Sequence, residues 1–330
     1  MVNLGASNID YSKIKRRIRA ANYLTVAQLF LQDDFLLDYP LEKKDIKPRL
    51  LGHWGTCPGI NTVYANLKAR YGEDEDYSFV LGPGHGFPAL QANLFIDGDL
   101  AKVDKKASRT EEGIAYICRH FSWPGEEGFP SHASPVTPGV ICEGGELGYA
   151  LATAYGAALG HPEKYIAVLV GDGEMETATA LASLNLPKIA DSTANGKVLP
   201  ILHLNGYKIS APTILARKSE REINEMFRGF GFTPITIDSD EPADFQAALE
   251  RAEVVFKNDT MHPPFLIYRS EKGATGPTFI RKVKIAGNYA AHQVPLPEAK
   301  TDATQLMILG RWLESYRFQE LFDRRKGFTI

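Results

Sequence analysis

The sequence predicts an α/β fold, a mainly parallel sheet with helices on both faces. Two short apolar runs, Ile166 to Val170 and Val198 to Leu204, have the length and branching of strands buried on both sides. Further on, a strand pattern (Thr233–Ile237), a helix pattern (Pro242–Lys257) and a second strand pattern (Pro264–Arg269) alternate, as parallel sheets require. Both central runs end in glycine-containing turns that carry an oxygen donor, Asp172 after the first and Asn205 after the second. Parallel strands present ligands at their carboxyl ends, so these two side chains are expected to converge on one crevice.

The remaining elements follow in order. Ser12 to Asp33 places Ile14, Ile18, Tyr23, Val26, Leu29 and Phe30 on one helical stripe, with the basic run Lys13–Arg19 on its solvated face. Pro40 to Leu51 is a charged connection into the loop Gly52–Gly59, which surrounds His53 with glycines, proline and Trp54. A helix over Ile60–Arg70 and a strand over Tyr77–Leu81 lead to Gly82-Pro83-Gly84-His85-Gly86. This loop lacks the third glycine of a dinucleotide fingerprint, since Phe87 and then Pro88 stand there. Glu111–Phe121 reads as a helix, Ser122–Gly139 as an irregular stretch with four prolines, and Glu143–Leu159 as a small-residue helix whose start is Gly144-Gly145. Met175–Ala190 is expected to cross to the Asn205 strand, ended or kinked at Pro187. Ser219-Glu220-Arg221-Glu222 is a capping box opening a helix to Arg228, and Thr301–Tyr316 is a capped amphipathic helix.

Composition narrows the function classes. With 330 residues, 44% apolar and 23% charged, the chain can bury a substantial core. A net charge of −3 offers no electrostatic case for nucleic acid or a membrane surface. Three cysteines, Cys57, Cys118 and Cys142, make no disulfide framework and no zinc spacing. No apolar run approaches the ~20 residues that span a bilayer, and the start has no hydrophobic segment behind its basic residues. A reducing cytoplasm is the expected compartment.

A carboxylate, an amide oxygen and a backbone carbonyl suit a hard cation such as magnesium, whose other ligands are water and phosphate oxygens. Gly171 and Gly173 would let the backbone approach a diphosphate closely, and Gly144-Gly145 could point N–H groups at one. Taken as isolated residues, the three loop histidines His53, His85 and His132 could be structural, and a lysine such as Lys272 would be expected in solvent.

The Gly-Asp-Gly turn with an asparagine 33 residues after the aspartate resembles the cofactor motif of thiamine-diphosphate enzymes. Longer segments resemble the amino-terminal part of phosphoketolases, which split sugar phosphates with phosphate to give acetyl phosphate. They are Gly52–Gly59, Gly82–Gly86, Pro130–Gly139, Glu143–Tyr149, Gly171–Thr177, Leu199–Ile209 and Ala291–Leu296, in matching order from Leu36 to Phe322. The resemblance implies a thiamine-diphosphate-binding domain of the PP type, the half that holds the diphosphate. It implies magnesium on Asp172, Asn205 and the Tyr207 carbonyl, with Gly145, Gly173 and Glu174 lining the diphosphate site and Lys272 reaching the cofactor. It implies His53, His85, His132 and His292 around the thiazolium and the sugar hydroxyls. Xylulose 5-phosphate or fructose 6-phosphate and inorganic phosphate would be the substrates.

The expected layout is a helical extension (1–50), the diphosphate-binding domain (51–322) and a linker-like tail (323–330). In this family the glutamate that activates the cofactor lies on a following pyrimidine-binding domain, as do most groups that grip the sugar phosphate. The expectation is therefore a chain inactive alone, completed by a separate pyrimidine-domain chain in a homo- or hetero-oligomer. Two alternatives stand beside it: a non-catalytic remnant or binding module, and a subunit of another thiamine enzyme of transketolase type. Departures flank the site. Ala178–Ile189 replaces the family's aromatic- and amide-bearing segment, Cys142 replaces a histidine, Phe87 a small residue, and Gly273–Thr278 alters a tryptophan-containing loop.

Overall fold

The computed structural model describes residues 9–123, 125, 128–191 and 193–330; Pro124 of the irregular stretch and the first eight residues of the expected extension lie outside them. The helices are α1 (Tyr11–Phe30), α2 (Cys57–Tyr71), α3 (Phe87–Asp97), α4 (Leu100–Val103), α5 (Glu111–His120), α6 (Ala150–Ala158), α7 (Ala178–Ser183), α8 (Glu220–Gly229), α9 (Pro242–Asn258) and α10 (Ala303–Ser315). The sheet strands are β1 (Tyr77–Leu81), β2 (Tyr165–Gly171), β3 (Lys197–Leu204), β4 (Thr233–Ile237) and β5 (Pro264–Arg269). Contacts divide the described residues into two compact units that alternate along the chain: those up to 11, within 66–84 and within 134–271 form one, and those within 12–65, 85–133 and 272–330 the other. No helix among the described residues is long and apolar enough to cross a membrane.

The first unit is built on a five-stranded sheet in the order β1-β2-β3-β5-β4 with every pairing parallel. Because side chains alternate along a strand, β2 and β3 sort into two apolar faces. Ile166, Val168, Val170, Val198, Leu202, Phe265 and Ile267 share a core with Leu151, Ala154 and Ala158 of α6 and with Ile223 and Phe227 of α8. On the other face Tyr165 meets Phe256 of α9 edge-on at 5.8 Å, and Tyr268 meets Phe245 at 5.5 Å. The handedness of crossovers explains this division. The chain advances across the sheet from β1 through β3 and on to the β4 edge. It then steps back to β5, and a right-handed return places α9 opposite α6 and α8.

Two expected helices change in outline. The Glu143–Leu159 helix begins only at Ala150, and Gly144 and Gly145 lie in an irregular segment before it. Two successive glycines weaken a helix start. Here the Gly144 backbone instead presses on Gly84, where a Cβ would stand 2.2 Å from the Gly144 carbonyl oxygen. The Met175–Ala190 helix is reduced to α7 between two 3₁₀ turns, Glu174–Glu176 and Leu186–Lys188. Pro187 removes the amide needed to continue it. The Ser219 box forms as expected, Glu222 accepting from the Ser219 amide at 2.7 Å.

In the second unit neither terminal segment is an appendage. Twelve of the 20 residues of α1 are buried, and Tyr23 stacks on Phe318 at 4.1 Å. The tail closes into a small hairpin, Phe322–Asp323 against Gly327–Phe328, with Phe328 edge-on to Phe95 and Phe318. Its aromatic residues draw it onto the core. Arg17 and Asp97 pair at 2.8 Å, and Asn22, Asn61 and Asn93 are buried in a hydrogen-bonded chain. The Gly84–Gly86 turn does open a helix, α3. Pro88 fits because the first helical turn needs no amide there, and Phe87 is fully buried against Phe121.

Candidate active site

In the first unit the ends of β2 and β3 bring Asp172 and Asn205 together. Register pairs Gly171 with His203, and the Asp172 amide donates to the His203 carbonyl at 3.2 Å. The Asp172 carboxylate is 2% exposed. It accepts from the Gly173 amide (2.9 Å), the Gly206 amide (2.7 Å) and the Thr213 hydroxyl (3.2 Å). The Asn205 amide oxygen accepts from the Tyr207 amide at 3.2 Å, fixing the turn that also carries the Tyr207 carbonyl. Carboxylate and amide oxygens each offer more than one lone pair, so these turn-forming bonds leave a hard-donor set that fits a divalent cation chemically.

Glu174 is buried beside the Asp172 turn. Its carboxylate is turned inward, accepting from the Gly148 and Gly171 amides at 3.1 and 3.2 Å, and burial pushes it up to about 7. It holds the backbone of two turns. Gly173 directs its amide to Asp172, whereas around Gly145 a Cβ would meet only the Glu143 carboxylate at 3.8 Å, leaving open space above an exposed backbone. Three residues not singled out from sequence brace these turns. Thr213 is fully buried on Asp172, and Glu176 accepts from both Lys208 and the Ile214 amide at 2.5 Å. Their segment carries no periodicity that would reveal this.

In the second unit the four predicted histidines gather. Ring centroids of His53 lie 5.1 Å from His85, 5.5 Å from His132 and 5.1 Å from His292, and His85 lies 5.0 Å from His292. The loop bearing His53 is tied to the one bearing His292. The Trp54 amide donates to the Gln293 carbonyl (3.2 Å), the Gly273 amide to the Gly55 carbonyl (2.7 Å), and the buried Trp54 indole to the Gly273 carbonyl (3.3 Å). Gly55 is required at this crossing, since a Cβ would stand 2.8 Å from the Ala291 carbonyl oxygen and the Lys272 side chain.

Lys272 is 2% exposed, not solvated as a lone lysine would be, and its ammonium donates to His292 Nδ1 at 3.2 Å. An ammonium only donates, so this bond leaves the His292 proton on Nε2. Burial, with Lys272 and His53 nearby, lowers His292 to about 3. Burial, with His132 and Lys272, lowers His53 to about 4, and His85 is depressed for the same reasons. These rings are neutral at physiological pH, able to accept or donate a proton without carrying charge. His53 Nδ1 is buried without a hydrogen-bond partner. His132 Nδ1 bonds the Ser131 hydroxyl at 2.9 Å.

The family described as XFP N-terminal domain matches residues 6–329. A probable phosphoketolase of Rhodopseudomonas palustris (strain HaA2) is 45% identical over 338 residues, covering 98% of this chain and 43% of that protein. One of Streptomyces coelicolor is 45% identical over 325 residues, covering 92% and 40%. The chain thus spans about two fifths of the length of these curated relatives. Among solved structures, the transketolase from Leishmania mexicana superposes with a TM-score of 0.63 at 18% identity, covering 94% of this chain and 45% of that one. Transketolase from Campylobacter jejuni gives 0.61 at 17%, covering 94% and 47%. The parallel sheet with helices on both faces is therefore the thiamine-diphosphate-binding fold that transketolases have. By the match along nearly its whole length, the chain belongs to the phosphoketolase family, whose amino-terminal domain it represents.

Proposed function

We propose that these 330 residues are the diphosphate-binding part of a thiamine-diphosphate-dependent lyase. It would cleave xylulose 5-phosphate or fructose 6-phosphate with inorganic phosphate, giving acetyl phosphate, an aldose phosphate and water. The carrying observation is the pairing of a hard-oxygen turn set with a four-histidine cluster in one chain. Holding a diphosphate alone has no need of the histidines, which argues against a binding remnant. The 45% identity to probable phosphoketolases favours that chemistry over a transketolase-type subunit.

Thiamine diphosphate, when bound, supplies the carbanion chemistry that breaks the ketose carbon–carbon bond. The residues of this chain bind, orient and move protons. Asp172, Asn205 and the Tyr207 carbonyl would hold magnesium, with Gly145 and Gly173 offering backbone at the diphosphate and Glu174 keeping those turns in place. Neutral His53, His85 and His292 would hydrogen-bond the ketose hydroxyls and assist loss of water, with His132 beside them, a step that needs general-acid help. Lys272 orients His292 by fixing its tautomer and would reach the cofactor.

The activating glutamate and the groups gripping the sugar phosphate are expected on a pyrimidine-binding domain outside these residues. Acetyl phosphate formation from xylulose 5-phosphate and phosphate tests this, with and without the pyrimidine-domain part of a curated relative. Activity only on mixing is the expected result, and turnover by these 330 residues alone would overturn the division of labour. Asp172→Asn should abolish the magnesium dependence of cofactor binding in calorimetry. Unchanged dependence would remove the metal assignment.

A further inference from the structure

We propose that a cavity beside His53 in the second unit is a phosphate subsite, built around Lys47 and Lys300. The cavity has a volume of about 350 Å³ and is lined by these two lysines and His53, with Gln293 and Thr301 as further polar groups. That volume lies within the roughly 300–1,000 Å³ typical of small-molecule sites. No carboxylate lines it.

The charge balance carries the argument. Lys47 is 7% exposed, with its ammonium donating to the Gln28 carbonyl at 2.7 Å and lying 5.7 Å from the Phe121 ring centre. Lys300 donates to the Ile46 carbonyl at 2.5 Å and the Lys43 carbonyl at 3.3 Å. Among the described residues neither lysine is paired with an acid. The adjacent Asp45 is taken up by the Glu42 amide and the Tyr39 hydroxyl, and Glu298 by Gln305 and Arg281. A buried cation without a counter-ion is costly, and burial drags Lys47 down to about 8 accordingly. An ammonium has three donors, so carbonyl bonds leave each lysine able to bind an anion as well. His53 belongs to the same lining. Two unpaired cations and a neutral histidine around one cavity match a tetrahedral phosphate dianion.

The inference deepens the proposed reaction and rests on it for its meaning: phosphate held beside His53 would be placed among the reacting histidines. The same chemistry is offered by free inorganic phosphate and by the phosphate end of a sugar. The test uses the full 330-residue chain without cofactor or magnesium, following ³¹P line broadening of inorganic phosphate and, separately, of glycerol 3-phosphate at fixed ionic strength. Saturable broadening is expected, weakened at least fivefold by Lys300→Gln and restored in part by Lys300→Arg, with Lys284→Gln unchanged. Lys300 is chosen because its partial exposure makes it safer to replace than Lys47, and circular dichroism checks the fold. Binding of inorganic phosphate assigns the site to the free ion, and binding of glycerol 3-phosphate alone assigns it to the sugar. Absence of saturable binding by both, or equal affinity in Lys300→Gln, overturns the subsite. Because no cofactor is present, such a failure leaves the lyase reading standing, and loss of that reading through Asp172→Asn leaves phosphate binding measurable.

Discussion

His53 is neutral because burial and its charged or chargeable neighbours oppose its protonation, and that has a measurable cost in acid. A folded-state value of about 4 below the ordinary 6.5 means the unfolded chain takes up the proton first as pH falls. The stabilising difference is complete above pH 6.5 and is lost between 6.5 and 4. His292, at about 3, extends the same loss further down. Urea midpoints across pH 4 to 7 should therefore fall with acid, and His53→Gln should flatten the slope by about 1–3 kcal/mol over that window. An unchanged slope would show that the ring does not titrate in this environment. Lys47 gives the opposite half of the scale. Its folded value of about 8, below 10.5, makes the charged form the destabilising one. In phosphate-free buffer, stability should rise from pH 8 to 10.5, and Lys47→Met should remove that rise while stabilising the chain at pH 7.

Among the elements, α8 and the turns at the strand ends show how little of the sheet unit is spare. Phe227 of α8 is fully buried and stacks on Phe265 of β5 at 4.0 Å. Phe227→Ala should cost about 3–5 kcal/mol, read as a lower urea midpoint without a change in helix content. Where β1 ends, Gly84 is close-packed on the Gly144 backbone. Gly84→Ala must displace the segment carrying Gly145, so it should weaken cofactor binding more than it lowers the melting temperature. A variant that melts early yet binds normally would assign Gly84 to packing alone. The shortness of α7 matters in the same way. Thr177 caps it by accepting from the Ala180 amide, so the helix starts directly beyond the Glu174 turn.

For the whole molecule, two compact units alternate along one chain, and one carries the metal-type donors while the other carries the histidines. Each set is complete in its own unit, assembled from segments far apart in sequence: 53, 85, 132 and 292 in one case, 145, 172 and 205 in the other. Chemistry at both sets, and only with a pyrimidine-binding domain, follows from the proposed function. Adding such a domain with thiamine diphosphate and magnesium should raise the melting temperature of the chain in a concentration-dependent way. Constant melting across a hundredfold range of that domain would count against association.

Sequence alone determined the strands, because branched apolar runs of five to eight residues have few other uses, and β1 and β4 begin and end where the patterns do. The Asp172–Asn205 pair was legible from the two strand ends, whereas the grouping of His53, His85, His132 and His292 came from the resemblance to the family, since a lone histidine has no periodicity that places it. Only tertiary structure decided the fate of Gly144-Gly145, Glu174 and Lys272. A glycine pair, a glutamate after a turn and a lysine after a strand each have several locally acceptable conformations. The choice was made by Gly84 pressing on Gly144, by the Gly148 and Gly171 amides reaching Glu174, and by His292 accepting from Lys272. Apart from Gly171, those partners lie between 20 and 60 residues away, beyond what helix or strand periodicity records, and burial makes the hydrogen bonds among them costly to leave unmade.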